Sequence, residues 1–256
     1  MKNILISSVA AILILFGITS ISAEPSSYKY KELMHHVLES YTHTRISYTM
    51  KKYDVADIFL KHIQDYLKEA IDVIPEHNTE GVKLDRALIT KKLNDLKQKM
   101  AGLRIVVQKR ELKEINQFSQ EIFNMCVTCH KSHRVKHLFK YPLGDRETLF
   151  QEYMHEVSEY FKTTRTYAEN GEFKEAEDYL KLINFYLSLL EGIFPDKGPS
   201  GIILDRDGFV RRIKDFEKLN EDAQKNIKEK KMFDSDSFKK SLNELCVACH
   251  EPERIK

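Results

Sequence analysis

Residues 115–130, INQFSQEIFNMCVTCH, join two patterns in one stretch. Ile115, Phe118, Ile122 and Met125 recur at steps of three and four, the period of a single helix face. The stripe runs straight into Cys126-Val127-Thr128-Cys129-His130. The cysteines continue it, so both thiols are expected on the buried side of a helix. A second C-x-x-C-H, Cys246-Val247-Ala248-Cys249-His250, follows an equivalent stripe of Phe238, Leu242 and Leu245. The two motifs use all four cysteines of the chain, leaving none for a disulfide or a reactive thiol elsewhere.

The motifs are separated by a step of 120 residues, and the same step recurs without a gap along the chain. It carries Met34-His35 onto Met154-His155, Thr44-Arg45 onto Thr164-Arg165 and Tyr66-Leu67 onto Tyr186-Leu187. Pro75 lands on Pro195, Leu84-Asp85-Arg86 on Leu204-Asp205-Arg206, and Arg134 on Arg254. A period this long marks two copies of one domain rather than a solenoid. The copies are read as residues 24–136 and 147–256, with residues 137–146, containing Pro142 and Gly144, as the linker.

Each copy reads as four amphipathic helices. The first runs from about Tyr28 to Met50, with Tyr30, Met34, Val37, Tyr41 and Tyr48 on its apolar stripe; the copy has Phe150, Met154, Val157 and Phe161. The second carries Phe59, Ile63, Tyr66, Leu67, Ala70 and Ile74 against Tyr179, Ile183, Tyr186, Leu187, Leu190 and Phe194. Asp85 and Asp205 are expected to cap the third helix by accepting backbone N–H bonds, which explains the repeated Leu-Asp-Arg without a catalytic role. With only nine Gly and six Pro, the chain is expected to be all-α: two tandem antiparallel four-helix bundles, which the repeat allows to pack as an intramolecular pseudo-dimer.

C-x-x-C-H is the attachment signature of c-type haem. Two thiols three residues apart reach the two vinyl groups of one porphyrin, and the adjacent His can ligate the iron. Each copy is therefore expected to carry one covalent haem c near the C-terminal end of its fourth helix, two per chain. The attachment residues are Cys126, Cys129, Cys246 and Cys249. Two C-x-x-C pairs also suit a four-thiolate zinc site or redox dithiols. Zinc does not call for a His after each pair, and no βαβ pattern accompanies the cysteines.

The N-terminus favours haem over both. Met1-Lys2 is a short basic start, Ile4 to Ile18 is almost wholly apolar, and Ser20-Ile21-Ser22-Ala23 offers small residues for cleavage after Ser22 or Ala23. This is the layout of a secretory signal peptide spanning residues 1–23. An uncleaved anchor would need about 20 apolar residues, more than this core supplies. The mature chain is thus expected to be soluble and periplasmic, and not membrane-spanning. A formal charge of +2 with 31% charged residues is an ordinary mixed surface, which argues against nucleic-acid binding.

A four-helix domain with C-x-x-C-H near the end of its last helix resembles the cytochrome c-prime family, which includes high-spin members and low-spin, Met/His-ligated relatives. The resemblance covers nearly the whole mature chain, one copy at a time. A basic residue four after the haem His, Arg134 or Arg254, adds to it and is placed by the resemblance in the haem's surroundings. The tandem arrangement is a departure, since the usual member carries one haem per chain. The resemblance implies that His130 and His250 are proximal iron ligands and that a residue early in helix one faces the other side of the iron. Of the adjacent pairs Met34-His35 and Met154-His155, only one residue each can face the haem, because neighbours on a helix point about 100° apart. Met34 and Met154 fall on the apolar stripe and are the candidate distal ligands. His35 and His155 share their faces with polar residues such as Glu39 and Glu159.

Met/His ligation suits an electron-transfer protein whose partners are other exported redox proteins. The alternative is a five-coordinate haem module that binds a small gas, NO or CO. A di-haem enzyme such as a peroxidase is disfavoured: no triad, phosphate-binding Gly loop or paired-carboxylate motif is present, so the chain is read as a non-enzyme.

Overall fold

The computed structural model describes residues 25–78, 81–132, 146–197 and 203–254. The signal segment and cleavage site of residues 1–23, the linker up to residue 145, and Arg134 lie outside the described residues. So do the side chains of Cys249, His250 and Arg254.

The described residues are all-α, with eight helices and no strand. They are α1 (Pro25–Thr49), α2 (Tyr53–Asp72), α3 (Arg86–Lys109), α4 (Leu112–Ser132), α5 (Arg146–Glu169), α6 (Phe173–Ile193), α7 (Arg206–Lys228) and α8 (Ser235–Arg254). None of them is long and apolar enough to cross a membrane. Arg146, read as the last linker residue, is already the first residue of α5.

The caps explain why the helices begin and end where they do. Asp85 accepts from the Leu88 N–H at 3.0 Å and Asp205 from the Gly208 N–H at 2.9 Å, each satisfying a donor that the helix cannot. The loop before each cap closes with one isolated bridge, His77 to Lys83 and Lys197 to Ile203. The α1–α2 turn needs a left-handed residue. Lys51 takes it at φ 60° in the first copy, and Gly171 takes it at φ 79° in the second. One geometry is thus reached with two residue types.

Helices α1 to α4 pack in sequence, and so do α5 to α8, with α5 also touching α8. The first group encloses Val37, Leu60, Leu67, Leu93, Met100, Leu103, Ile115 and Ile122. Tyr41 fixes α1 to α4 by donating to the Ser119 carbonyl at 2.6 Å. Arg104 on α3 grips Asp57 on α2 with two bonds, Nε to Oδ1 at 2.7 Å and Nη2 to Oδ2 at 2.9 Å. Gly102 lets α3 and α4 close up: a Cβ there would stand 2.7 Å from the Phe118 ring.

Phe59 departs from the sequence expectation. Its stripe assigned it to the core of its own copy, yet Val55, Ile58 and Phe59 join the apolar cluster of α5 to α8. The cause is a direct junction between α2 and α6. Phe59 meets Phe185 with ring centroids 5.6 Å apart, Lys52 donates to Ser188 Oγ at 3.0 Å, and Lys61 lies 3.9 Å from Glu175.

His43 sits at the centre of this junction, 1% exposed, ringed by Phe59, Tyr153, Phe185 and Tyr186. Its Nδ1 lies 3.0 Å from the Tyr186 hydroxyl. Tyr186 is bonded in turn to Tyr160, and Tyr160 to Glu156. Burial pulls the His43 imidazole down to about 4, with Glu39 opposing weakly. His43 is therefore neutral in the folded chain and takes up its proton more readily when unfolded, at about 6.5. Its share of stability is complete above pH 6.5 and is lost as pH falls towards 4, in total about 3 kcal/mol. His43→Asn should lower stability at pH 7 but flatten its fall between pH 6.5 and 4, as read by urea denaturation at several pH values. An unchanged slope would show that the imidazole does not titrate against folding.

Candidate functional site

The first motif lies on the last turns of α4, where the stripe of Ile115, Ile122 and Met125 carries it along the core. Cys126 packs against the first apolar cluster, and so do Met34 and Tyr30 from α1. The structure thus brings Cys126 and Met34, which are 92 residues apart in the chain, to one apolar region. Cys129 and His130 are half-buried on the same turn. His35 is exposed, so of the pair Met34-His35 it is the methionine that meets the core.

The second motif occupies the same place on α8. Leu242 and Leu245 are buried in the second cluster, Cys246 follows half-buried, and Met154 packs against that cluster from α5 while His155 is exposed. The side chains of Cys249 and His250 are not among the described ones, so the full second set is known only from the repeat.

Burial controls the thiols. It pushes Cys126 up to about 11, and it raises Cys129 and Cys246 as well, with Lys92 weakly opposing it at Cys129. The motifs also stand at helix C-terminal ends, where the partial negative charge disfavours a thiolate. A redox dithiol needs the reverse: a thiolate stabilised by a cation or a helix N-terminus. Among the described residues no group of three or more His, Cys, Asp and Glu side chains is placed to hold a metal ion.

The donor chemistry fits a haem bound through thioethers. It comprises two neutral thiols three residues apart, an imidazole one residue on, and a methionine on α1, with Cys126 and Met34 packed against the apolar cluster and Cys129 and His130 half-buried.

Sequence reasoning placed Tyr30 in the stripe but not at the site. Burial, and after it the electrostatic influence of Cys129, raise its phenol well above the ordinary tyrosine value, and Tyr30 packs against the same apolar cluster as Cys126. Its position four residues before Met34, and its replacement by Phe150 in the second copy, were the signals available.

No family model matches this chain, and no curated protein or solved structure matches it either.

Proposed function

We propose that this chain is an exported di-haem c-type cytochrome that transfers electrons, built as two antiparallel four-helix bundles of cytochrome c-prime type. Each bundle would carry one haem c. Cys126 and Cys129 would hold the first, with His130 as proximal ligand and Met34 as distal ligand. Cys246, Cys249, His250 and Met154 would serve the second. The observation that carries the reading is the shared apolar region of Cys126 and Met34.

When bound, the haem supplies a one-electron iron couple. The chain does the rest. The thiols would anchor the group, the imidazole and the methionine sulfur would hold its metal, and the leucine and isoleucine side chains would exclude water. A low-polarity setting with both protein donors held in place would limit reorganisation on electron transfer, and Met/His ligation would raise the potential relative to two histidines. The α2–α6 junction holds the two halves against each other, so that one chain could pass two electrons in series or store both.

The optical spectrum of the haem-loaded protein tests this reading. Met/His ligation predicts low-spin bands from both haems in the ferric and ferrous states. A spectrum that is high spin throughout would contradict methionine ligation and favour the gas-binding alternative.

A further inference from the structure

The repeat provides an internal control, because one scaffold position can be compared in two copies. On α3, positions 87, 91, 94, 98, 101, 105 and 108 are exposed and recur at alternating steps of four and three, so they form one outer stripe. The same stripe on α7, 120 residues on, is exposed as well. The side chains differ. On α7 they are Asp207, Lys214, Lys218, Glu221, Lys225 and Lys228, every one charged. On α3 they are Ala87, Asn94, Gln98, Ala101, Ile105 and Gln108, none of them charged. The remaining position is cationic in both copies, as Lys91 and Arg211. A helix face that meets water ordinarily has the α7 pattern. Ile105 stands 56% exposed on the α3 stripe, and Leu88 beside it is 42% exposed. Depletion of charge at the centre of an exposed patch is the compositional mark of an interface.

The surroundings of the stripe carry one sign of charge. α3 holds seven Lys and Arg against one acid, Asp95, whereas α7 holds seven against five. Lys99 and Arg104 are paired with Glu121 and Asp57 on neighbouring helices. Lys91 sits within the stripe, with Lys97 and Lys109 beside it. The asymmetry extends to the whole copies, whose formal charges are +5 over residues 24–136 and −5 over residues 147–256. α3 also packs on α4, the helix that bears the first C-x-x-C-H.

We propose that the outer stripe of α3 is a docking face for a separate protein whose contact surface is acidic around an uncharged centre. The inference deepens the electron-transfer reading and rests on it for the partner's redox character. Charge selects the occupant. An acidic surface gains from the α3 cations in rate of encounter and in register. A second copy of this chain fits poorly: its own α3 repeats the cations, and the matching stripe of its acidic half is charged throughout. An anionic lipid surface would be attracted too, but the stripe offers one isoleucine and two alanines among amides, not the aromatic and leucine-rich face that sinks into an acyl boundary. Because only one copy has the face, the partner meets the chain at its first half, on the helix packed against the first motif.

The test uses the full mature chain, with a plant-type [2Fe–2S] ferredoxin, a small acidic electron carrier, as the probe. Photo-reactive benzoylphenylalanine in place of Ala101 should crosslink to added ferredoxin, and in place of Glu221 it should not. Ala101→Glu/Ile105→Lys installs the side chains that α7 carries at the same positions and leaves the net charge unchanged, so the fold and the long-range attraction are kept. It should weaken ferredoxin binding, read by calorimetry, at least about ten-fold, because it forces unpaired charges into the contact. The reverse exchange in α7, Glu221→Ala/Lys225→Ile, should leave binding unchanged. Added salt should weaken binding of the unaltered chain. Crosslinking from both positions, from neither, or to a second copy of the chain would overturn the proposal. So would an affinity unmoved by the α3 exchange or by salt, or binding of phosphatidylglycerol vesicles that the α3 exchange abolishes. Ferredoxin that binds α3 yet passes no electron to the chain would instead contradict the electron-transfer reading and leave the docking face standing.

Discussion

Met34→Ala is expected to convert half of the haem absorbance from low to high spin, and Met154→Ala the other half. In each variant the affected haem should bind CO without first losing a protein ligand. Met34 and Cys126 both pack against the first cluster, and Met154 packs on the second cluster from the matching place on α5. Alanine leaves space where the sulfur stood, and the adjacent His35 and His155 are exposed rather than turned to the core. His35→Ala and His155→Ala should therefore leave the spin state unchanged. Conversion by the histidine variants, or none by the methionine variants, would assign the distal ligand elsewhere.

The second large effect concerns stability. Phe59→Ala is expected to cost about 3–5 kcal/mol, the usual range for removing a fully buried phenyl ring. Phe59 is 1% exposed and touches rings from both halves, with centroids 5.3 Å from His43 and 5.6 Å from Phe185. The loss should therefore appear in the unfolding of both halves, not the first alone. Urea denaturation followed by helicity and by haem absorbance checks this. A cost under about 1 kcal/mol, typical of surface changes, would mean that the junction is not packed as described. The same junction bears on how independent the halves are. A fragment of residues 24–136 would expose Val55, Ile58 and Phe59, which the full chain covers.

Much of the fold was legible because local rules and global packing agree in this chain. The stripes of α1 to α4 repeat in α5 to α8, and the Asp85 and Asp205 caps follow from residue type and position alone. The α2–α6 junction was not legible. A helical stripe states that Phe59 is buried but not against which of two adjacent cores. His43 was hidden for another reason: it lacks a counterpart in the second copy, where the position is Thr163, and its burial comes from the partner half. At the site, the thiols and the adjacent imidazole could be read from spacing. That Met34 rather than His35 turns to the core needed only the helical angle. Tyr30 was invisible as a site residue because a tyrosine on an apolar stripe reads as core. Only its packing against the same cluster as Cys126 marks it out.

The central claim is that each C-x-x-C-H carries one covalent haem. It is tested most directly by the intact mass, under denaturing conditions, of full-length protein matured in a host that attaches c-type haem. The account predicts the mass of the processed chain plus two haems, with Cys126→Ser/Cys129→Ser and Cys246→Ser/Cys249→Ser each removing one. A mass equal to the bare chain, from protein that binds zinc stoichiometrically when native, would contradict it.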